Sequence, residues 1–465
     1  QITFFKVVYR RHTNFAMECV EQTFAGSPGA QKTVVATVSR NGDLVGRMCV
    51  TSNAGVVSGG GSTLVDSAEV EIGGQKIDKQ TTEWMRIWNE LSTPDSKAVG
   101  LKAMTCDVGV RGTTGVDMVQ VPLQFWFNRN PGLALPLIAL QYHEVKVKVV
   151  LGNMPAANSA KLWADYIYLD TDERRRFAQV SHEYLIEQVQ VESAKTGTSH
   201  TLNFNHPVKE LIWTNTADYT DAKLVLNGHD RFAKQEEEYF QLRQPYDHHT
   251  AVPSQNLPSA ATVATSSRSS TFTTLLGNGS SEAFDTDLAA TKTACGTTGE
   301  FCMVSDTGAA AAPDTGKAVV VNLNHALVSA GDVHLVVHSD GGVVRSTVAK
   351  VASDDTSTAG AGLIVYEQQI AQSLAVSADA GADTLVITKI ADAGCRTSQM
   401  TKKINCYSFA LKPEEHQPSG TCNFSRIDNA QLVTGANLDS DDNIYAVNYN
   451  VLRVMSGMGG LAYSN

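Results

Sequence analysis

Short runs in which apolar and polar positions alternate dominate this chain. Val145 to Val149 reads VKVKV, three valines on one face and two lysines on the other, the signature of a half-buried strand. Gln120 to Phe127 carries a similar alternation rich in aromatics and is read the same way. Between them Pro131 and Pro136 remove backbone donors and fix φ, so Leu133 to Leu140 predicts a buried, kinked connection instead of a helix. Further strands are expected at Ile2 to Tyr9, Phe15 to Phe24, Thr33 to Val38, Ala164 to Leu169 and Val70 to Ile77, the last folded around Gly73-Gly74 as a tight hairpin. One helix breaks the series. From Thr81 to Leu91, the residues Trp84, Ile87, Trp88 and Leu91 fall at i, i+3, i+4 and i+7, which puts two indoles on one face.

The pattern then repeats. Cys406 to Asp428 can be laid on the stretch around Phe127, matching Phe409 to Phe127, Pro418 to Pro136, Phe424 to Tyr142 and Ile427 to Val145. Glu183 to Gln190 can be laid on Asn14 to Glu21. Leu224 to Phe240 resembles Val70 to Met85, with Asn227-Gly228 in place of Gly73-Gly74 and one residue inserted. The offset between copies grows sharply between Tyr246 and Ile404, so the second copy carries a long insertion there. Residues 251–400 hold 14 acidic and 7 basic residues, a net −7 of the chain's −11, but only four of its 33 aromatics. Such a segment does not belong to the same core. Its first half, Ser254 to Pro313, reads as loop; strand patterns follow at Ala318 to Leu323, Val333 to His338, Val343 to Val351, Leu363 to Ile370 and Thr384 to Ile390. The expectation is all-β: two tandem antiparallel barrels or sandwiches, 1–175 and 176–250 with 401–465, and a small β domain, 251–400, inserted in a loop of the second. Repetition alone does not choose between immunoglobulin-like and jelly-roll topology.

At 465 residues the chain exceeds one ordinary core, and 18% charged residues suit sheets better than helical bundles. A net charge of −11 argues against nucleic-acid binding through a broad basic surface, and no apolar run approaches the roughly 20 residues of a membrane span. Eight cysteines without a Cys-x-x-Cys pair suggest a reducing compartment, although Cys295 with Cys302, or Cys395 with Cys406, could pair. The chain opens at Gln1 on a strand pattern without signal-peptide architecture, so an N-terminal arm is expected before it.

Catalytic signals are thin. His143-Glu144 and His182-Glu183 lack the second histidine of a zincin helix, and no nucleophile elbow, Walker loop or dinucleotide fingerprint occurs. His334 and His338, with His325 upstream, and the pair His248-His249 are histidine clusters without a third ligand at fixed spacing. Asp439, Asp441 and Asp442 begin like a calcium loop but lack its glycine and terminal glutamate. Neither enzyme nor cofactor is expected. Asn278 and Asn423 head glycosylation sequons; Arg10, Arg11 and the run Arg174-Arg175-Arg176 are candidates for contacts between subunits.

Six segments together carry a resemblance: ITFFKVVYRRHTNF (Ile2 to Asn14), FWFNRNPGLALPLIALQYHEVK (Phe125 to Lys146), HPVKELIW (His206 to Trp213), LNGHDRF (Leu226 to Phe232), FALKPEEHQPSGTCNFSRIDN (Phe409 to Asn429) and YAVNYNVLRVMSGMGGLAYSN (Tyr445 to Asn465). In this order they resemble the major capsid proteins of large icosahedral eukaryotic DNA viruses, the iridovirus, phycodnavirus and marseillevirus type. The resemblance implies a double jelly roll, a homotrimeric pseudo-hexameric capsomer, and a place in the virion shell over an internal membrane. It also implies neighbouring capsomers and minor capsid proteins as partners, and assembly in the host cytoplasm. The insert is not covered by these motifs and is expected as an outward cap; a jelly-roll protein binding host glycans through the insert is the alternative.

Overall fold

The computed structural model describes residues 13–54, 64–105, 117–152, 160–194, 196–256, 400 and 402–463, with the strands 262–268, 300–305, 316–322, 333–338, 343–353, 361–366 and 384–391. The expected strand Ile2 to Tyr9, with Arg10, Arg11, Asn278 and His325, lies outside the described residues.

The first third of the chain forms β1 (Phe15–Gln22), β2 (Phe24–Ala25), β3 (Thr33–Thr37), β4 (Leu44–Ala54), β5 (Val65–Ile72), β6 (Gln75–Thr81), β7 (Asp117–Pro122), β8 (Leu135–Pro136), β9 (Val145–Leu151) and β10 (Ala160–Leu169). Setting aside the two-residue strands β2 and β8, eight strands remain. One sheet runs β1-β10-β4-β7 and the other β3-β9-β5-β6, all antiparallel, which is the order 1-8-3-6 against 2-7-4-5 of a jelly roll. The inner faces interdigitate: β9 is buried at every second residue, Val145, Val147, Val149 and Leu151, as its VKVKV pattern requires.

The second barrel repeats the plan with β11 (His182–Ser193), β12 (Gly197–Thr201), β13 (Pro207–Asn215), β14 (Asp221–Leu226), β15 (His229–Asp230) and β16 (Gln235–Glu236). A separate closed barrel follows, β17 (Thr262–Arg268), β18 (Glu300–Ser305), β19 (Gly316–Asn322), β20 (Val333–His338), β21 (Val343–Ser353), β22 (Ala361–Tyr366) and β23 (Thr384–Ala391). The chain then returns through β24 (Lys403–Ser408), β25 (Cys422–Asn423), β26 (Ala430–Leu438), β27 (Asn443–Met455) and β28 (Met458–Leu461). The sheets β11-β27-β13-β24 and β12-β26-β14-β15 have the same order as the first barrel's. The insert therefore enters between the fifth and sixth jelly-roll strands, the connection that in the first barrel holds α1 (Thr82–Ser92) and α2 (Asp95–Met104).

Both hairpins matched in the sequence share one turn geometry. Gly73-Gly74 have φ of +58° and +84°, Asn227-Gly228 +50° and +79°, the two positive values that a two-residue hairpin matching strand twist demands. The match of Glu183–Gln190 onto Asn14–Glu21, however, is wrong by one pleat. Glu18 and Val20 stand opposite Tyr166 and Ala164 of the first core, whereas Glu187 and Val189 stand opposite Tyr449 and Val447 on the outer face of the second sheet.

Two other expectations are corrected. The strand predicted over Gln120–Phe127 ends at Pro122; Phe125 starts a helical turn, α3 (Trp126–Arg129), and Phe125, Trp126 and Phe127 are all buried, which alternation forbids and a turn of helix inside a core allows. Asn128 holds this turn, accepting from Phe125 N at 3.2 Å and donating to Gly46 O at 2.8 Å. Ser254–Pro313, read as loop, contains β17, hidden by its Ser/Thr-rich sequence, and β18, a short run set in Gly- and Thr-rich surroundings. Arg174–Arg176 sit on α4 (Thr171–Gln179), a polar helix started by Asp170, which accepts from Thr171 N at 2.7 Å.

Candidate functional site

The joint between the barrels is the most heavily built region. α1 begins at Thr81, whose hydroxyl accepts from Trp84 N, and turns Trp84, Ile87, Trp88 and Leu91 onto the outer face of the second barrel's β11-β27-β13-β24 sheet, against Ile212, Ile404, Cys406, Tyr445 and Val447. The predicted indole face is buried, but against the other barrel. Trp84 lies 5.3 Å from Tyr445, ring centroid to centroid. Glu83, one residue earlier, accepts from Tyr445 Oη at 2.7 Å and pairs with Lys402 at 3.3 Å.

Polar groups pin the same seam. Asp78 of β6, fully buried, accepts from Val189 N at 3.1 Å and from Gln80 Nε2 at 3.0 Å, and Gln188 donates to Ile77 O. Burial pushes the Asp78 carboxyl up to about 6, against the pull of these hydrogen bonds. Arg129 crosses from α3 to Glu187 at 3.2 Å and lies over the Trp88 ring at 4.4 Å, while Lys209 reaches Glu187 at 2.7 Å. Burial disfavours the Glu187 charge, but the two cations outweigh it and hold its carboxyl below the usual range. A cavity of about 460 Å³ opens beside this triad, walled by Trp126, Leu133, Glu414 and His416 among others. The C-terminal hairpin closes the joint: Tyr142 N donates to Gly457 O at 2.9 Å, and Gly459 N and O lie 3.1 and 2.9 Å from His143 Nδ1.

The corresponding outer sheet face of the first barrel is open. Phe15, Met17 and Cys19 of β1 project from it beside Trp163 of β10, and Phe15, Met17 and Met118 are 63%, 55% and 48% exposed. At one end of it Leu44 and Ile167 are buried with Ala134, packed against Leu169 and Phe177 of α4.

The remaining sequence candidates scatter. Arg174, Arg175 and Arg176 are exposed, Arg174 meeting Asp43 at 2.8 Å. Asn423 is half-buried, its side-chain oxygen accepting from Ser425 N at 3.1 Å. His182 lies on Phe177 O, and Asp442 accepts from Asp439 N and Thr216 in a turn. His334 is buried in β20. Cys19, Cys49, Cys406 and Cys422 are free thiols. Of the pair His248-His249, His249, following α5 (Gln244–His248), meets partners that the sequence did not indicate: Glu210, Glu414 and Cys406, two of the three more than 150 residues away. No local spacing could have signalled them.

Two jelly rolls fused through a buried seam, with one outer sheet face left open, define a double jelly roll. Comparison with known proteins places it more narrowly. A family model for the major capsid protein N-terminus matches residues 3–170, and one for the large eukaryotic DNA virus major capsid protein matches 173–220 and 394–460. The chain is 41% identical to the major capsid protein of Pyramimonas orientalis virus, over all of this chain and 94% of that one, and 34% identical to that of Paramecium bursaria Chlorella virus 1, over all of this chain and 95% of that one. A quasi-atomic model of the PBCV-1 virus capsid aligns over the full length of both chains with a TM-score of 0.59 and 29% identity. The Faustovirus major capsid protein, 9% identical, shares the fold with a TM-score of 0.52 over 98% of this chain and 93% of that one. The chain belongs to the major capsid proteins of large eukaryotic DNA viruses, a family of structural proteins and not of enzymes. Both family models leave out residues 221–393, which contain the inserted barrel.

Proposed function

We propose that this capsid protein assembles as a homotrimer whose six jelly rolls form a pseudo-hexameric ring, and that the exposed face of β1 and β10 is the inter-subunit half of that ring. One observation carries the reading. Within the chain, the helix-bearing side of the first barrel covers the outer 1-8-3-6 sheet face of the second; the same face of the first barrel is exposed and carries Phe15, Met17 and Met118 beside the Glu21–Lys161 ion pair. If the second barrel's equivalent side, the π-helical turn Tyr239–Arg243 with α5, covers that face on the next chain, every joint in the ring is alike. Such a contact is head-to-tail, and three chains of two barrels close it. The exposed arginines of α4, at the rim of that face, are available to the neighbour.

The division at 175/176, 250/251 and 400/401 follows from this plan, with the acidic inserted barrel as a cap on the outer surface. Neighbouring capsomers and minor capsid proteins would meet the remaining sides, above an internal membrane, with assembly in the host cytoplasm and no direct nucleic-acid contact. The net charge of −11 supports this, and among the described residues no helix is long and apolar enough to cross a membrane.

The test is Met17→Glu combined with Phe15→Glu, both exposed in the single chain and so tolerable to its fold. Sedimentation velocity should show trimers for the parent and folded monomers for the variant. Trimers persisting in the variant would refute the assigned face.

A further inference from the structure

The buried cluster around His249 has the composition of a metal site. Glu210 on β13 and Cys406 on β24 project from the same outer sheet face, Cys406 opposite Ile212 and so one pleat from Glu210, and His249 descends between them from the loop after α5. One ligand atom from each of Glu210, His249 and Cys406 lies within 4.8 Å of the others. The side chains of Glu210 and His249 are wholly shielded and Cys406 is 1% exposed.

Two features go beyond proximity. His249 Nδ1 lies 2.9 Å from Glu414 Oε1, and Glu414 is itself fixed by Thr250 N at 2.9 Å and by the Thr250 hydroxyl. That leaves Nε2 directed at Glu210, the arrangement in which a metal-bound histidine donates its other N–H to a carboxylate. In addition, Glu210 Oε2 is buried and has no hydrogen-bond partner among the described residues, an acceptor left without a donor beside the cluster.

We propose that Glu210, His249 and Cys406 bind a divalent cation of the zinc class, with Glu414 as the positioning residue for His249. A donor set of one thiolate, one imidazole and one carboxylate suits tetrahedral zinc, whereas magnesium and calcium need shells of oxygen ligands. The fourth position falls to the second Glu210 oxygen or a water. Binding displaces the proton from the thiol and any proton on Nε2 to solvent. The ion would tie the third and sixth strands of the second barrel to the segment from which the inserted barrel departs, on the face that α1 covers. Ring closure plays no part in this, so the site should load in trimers and monomers alike.

The experiment uses the full chain stripped with chelator and then dialysed against zinc or cobalt(II). Expected are one zinc per chain by elemental analysis and, with cobalt, a thiolate-to-metal charge-transfer band that Cys406→Ser abolishes. Glu414→Gln should retain the cobalt band while weakening zinc binding about 10- to 100-fold in a competitive chelator titration. A parent chain that takes up no stoichiometric metal, or whose cobalt spectrum lacks the thiolate band, overturns the proposal without reference to any variant. Zinc affinity unchanged in Cys406→Ser would overturn it equally.

Discussion

At the scale of single residues, the seam between barrels is held by groups whose charge is costly where it stands. Asp78 shows how that cost appears. Its carboxyl is fully buried, with a folded-state value of about 6 against 3.8 for the free group. The fold thus binds more protons than the unfolded chain between those two values, and the Asp78 contribution to stability is full below 3.8 and lost as pH rises through 6. The loss amounts to about 3 kcal/mol, a shift of roughly two pKa units at 1.36 kcal/mol each. Asp78→Asn keeps an acceptor for Val189 N but cannot ionise. The difference in urea midpoint between variant and parent should therefore move in the variant's favour from pH 4 to pH 7. A difference independent of pH would show that Asp78 is charged without penalty.

At the scale of elements, the C-terminal hairpin is the clearest case of a backbone shaped by what it must touch. Ser456 and Gly457 have φ of +52° and +80° at the β27–β28 turn, and a Cβ on Gly457 would sit 2.5 Å from Tyr142 Cδ2. Gly74, at φ +84°, tops the β5–β6 hairpin with open space around it. Alanine at either position should cost about 1–2 kcal/mol for the left-handed backbone alone. Gly457→Ala should cost more than Gly74→Ala by denaturant midpoint, since it also pushes Tyr142 away from the joint. Equal losses would mean that the exposed Tyr142 ring simply swings aside. Such contacts also mark where the sequence was readable. The alternation of Val145–Val149, the helix Thr82–Ser92 and the paired glycine turns were legible because strand, helix and turn geometry are local properties. Phe125–Phe127 misled because three adjacent aromatics suit an alternating strand as well as a buried turn, and only the acceptors around Asn128 decide. Neither the open face of β1 nor the cluster of Glu210, His249 and Cys406 could be read, since each depends on which strands become neighbours.

At the scale of the whole molecule, the duplication explains why so large an insertion is tolerated. The inserted barrel leaves after Asn256 and returns before Ile404, and the Asn256 side chain joins the two ends: it accepts from Ile404 N at 2.8 Å and donates to Ile404 O at 2.7 Å and Gln241 O at 2.8 Å. The stalk is thus closed by the second barrel itself, with Ser254, Gln255, Asn256 and Met400 buried beneath it. A loop whose ends already touch loses little when shortened, because loop-closure entropy changes only with the logarithm of length. Replacing residues 258–399 by a short Gly-Ser linker, which spares Asn256 and Met400, should leave both jelly rolls folded and the ring intact. The expected sedimentation result is a trimer smaller by three inserts, with its net charge less negative by seven per chain. Monomers from a variant whose jelly rolls still unfold cooperatively would place the inserted barrel inside the ring contacts, and the outer cap would have to be abandoned while the β1 face could still be correct. Because the charge removed is most of the chain's excess, the trimmed trimer should also depend less on salt in its association with other trimers, if the acidic caps repel one another across the shell.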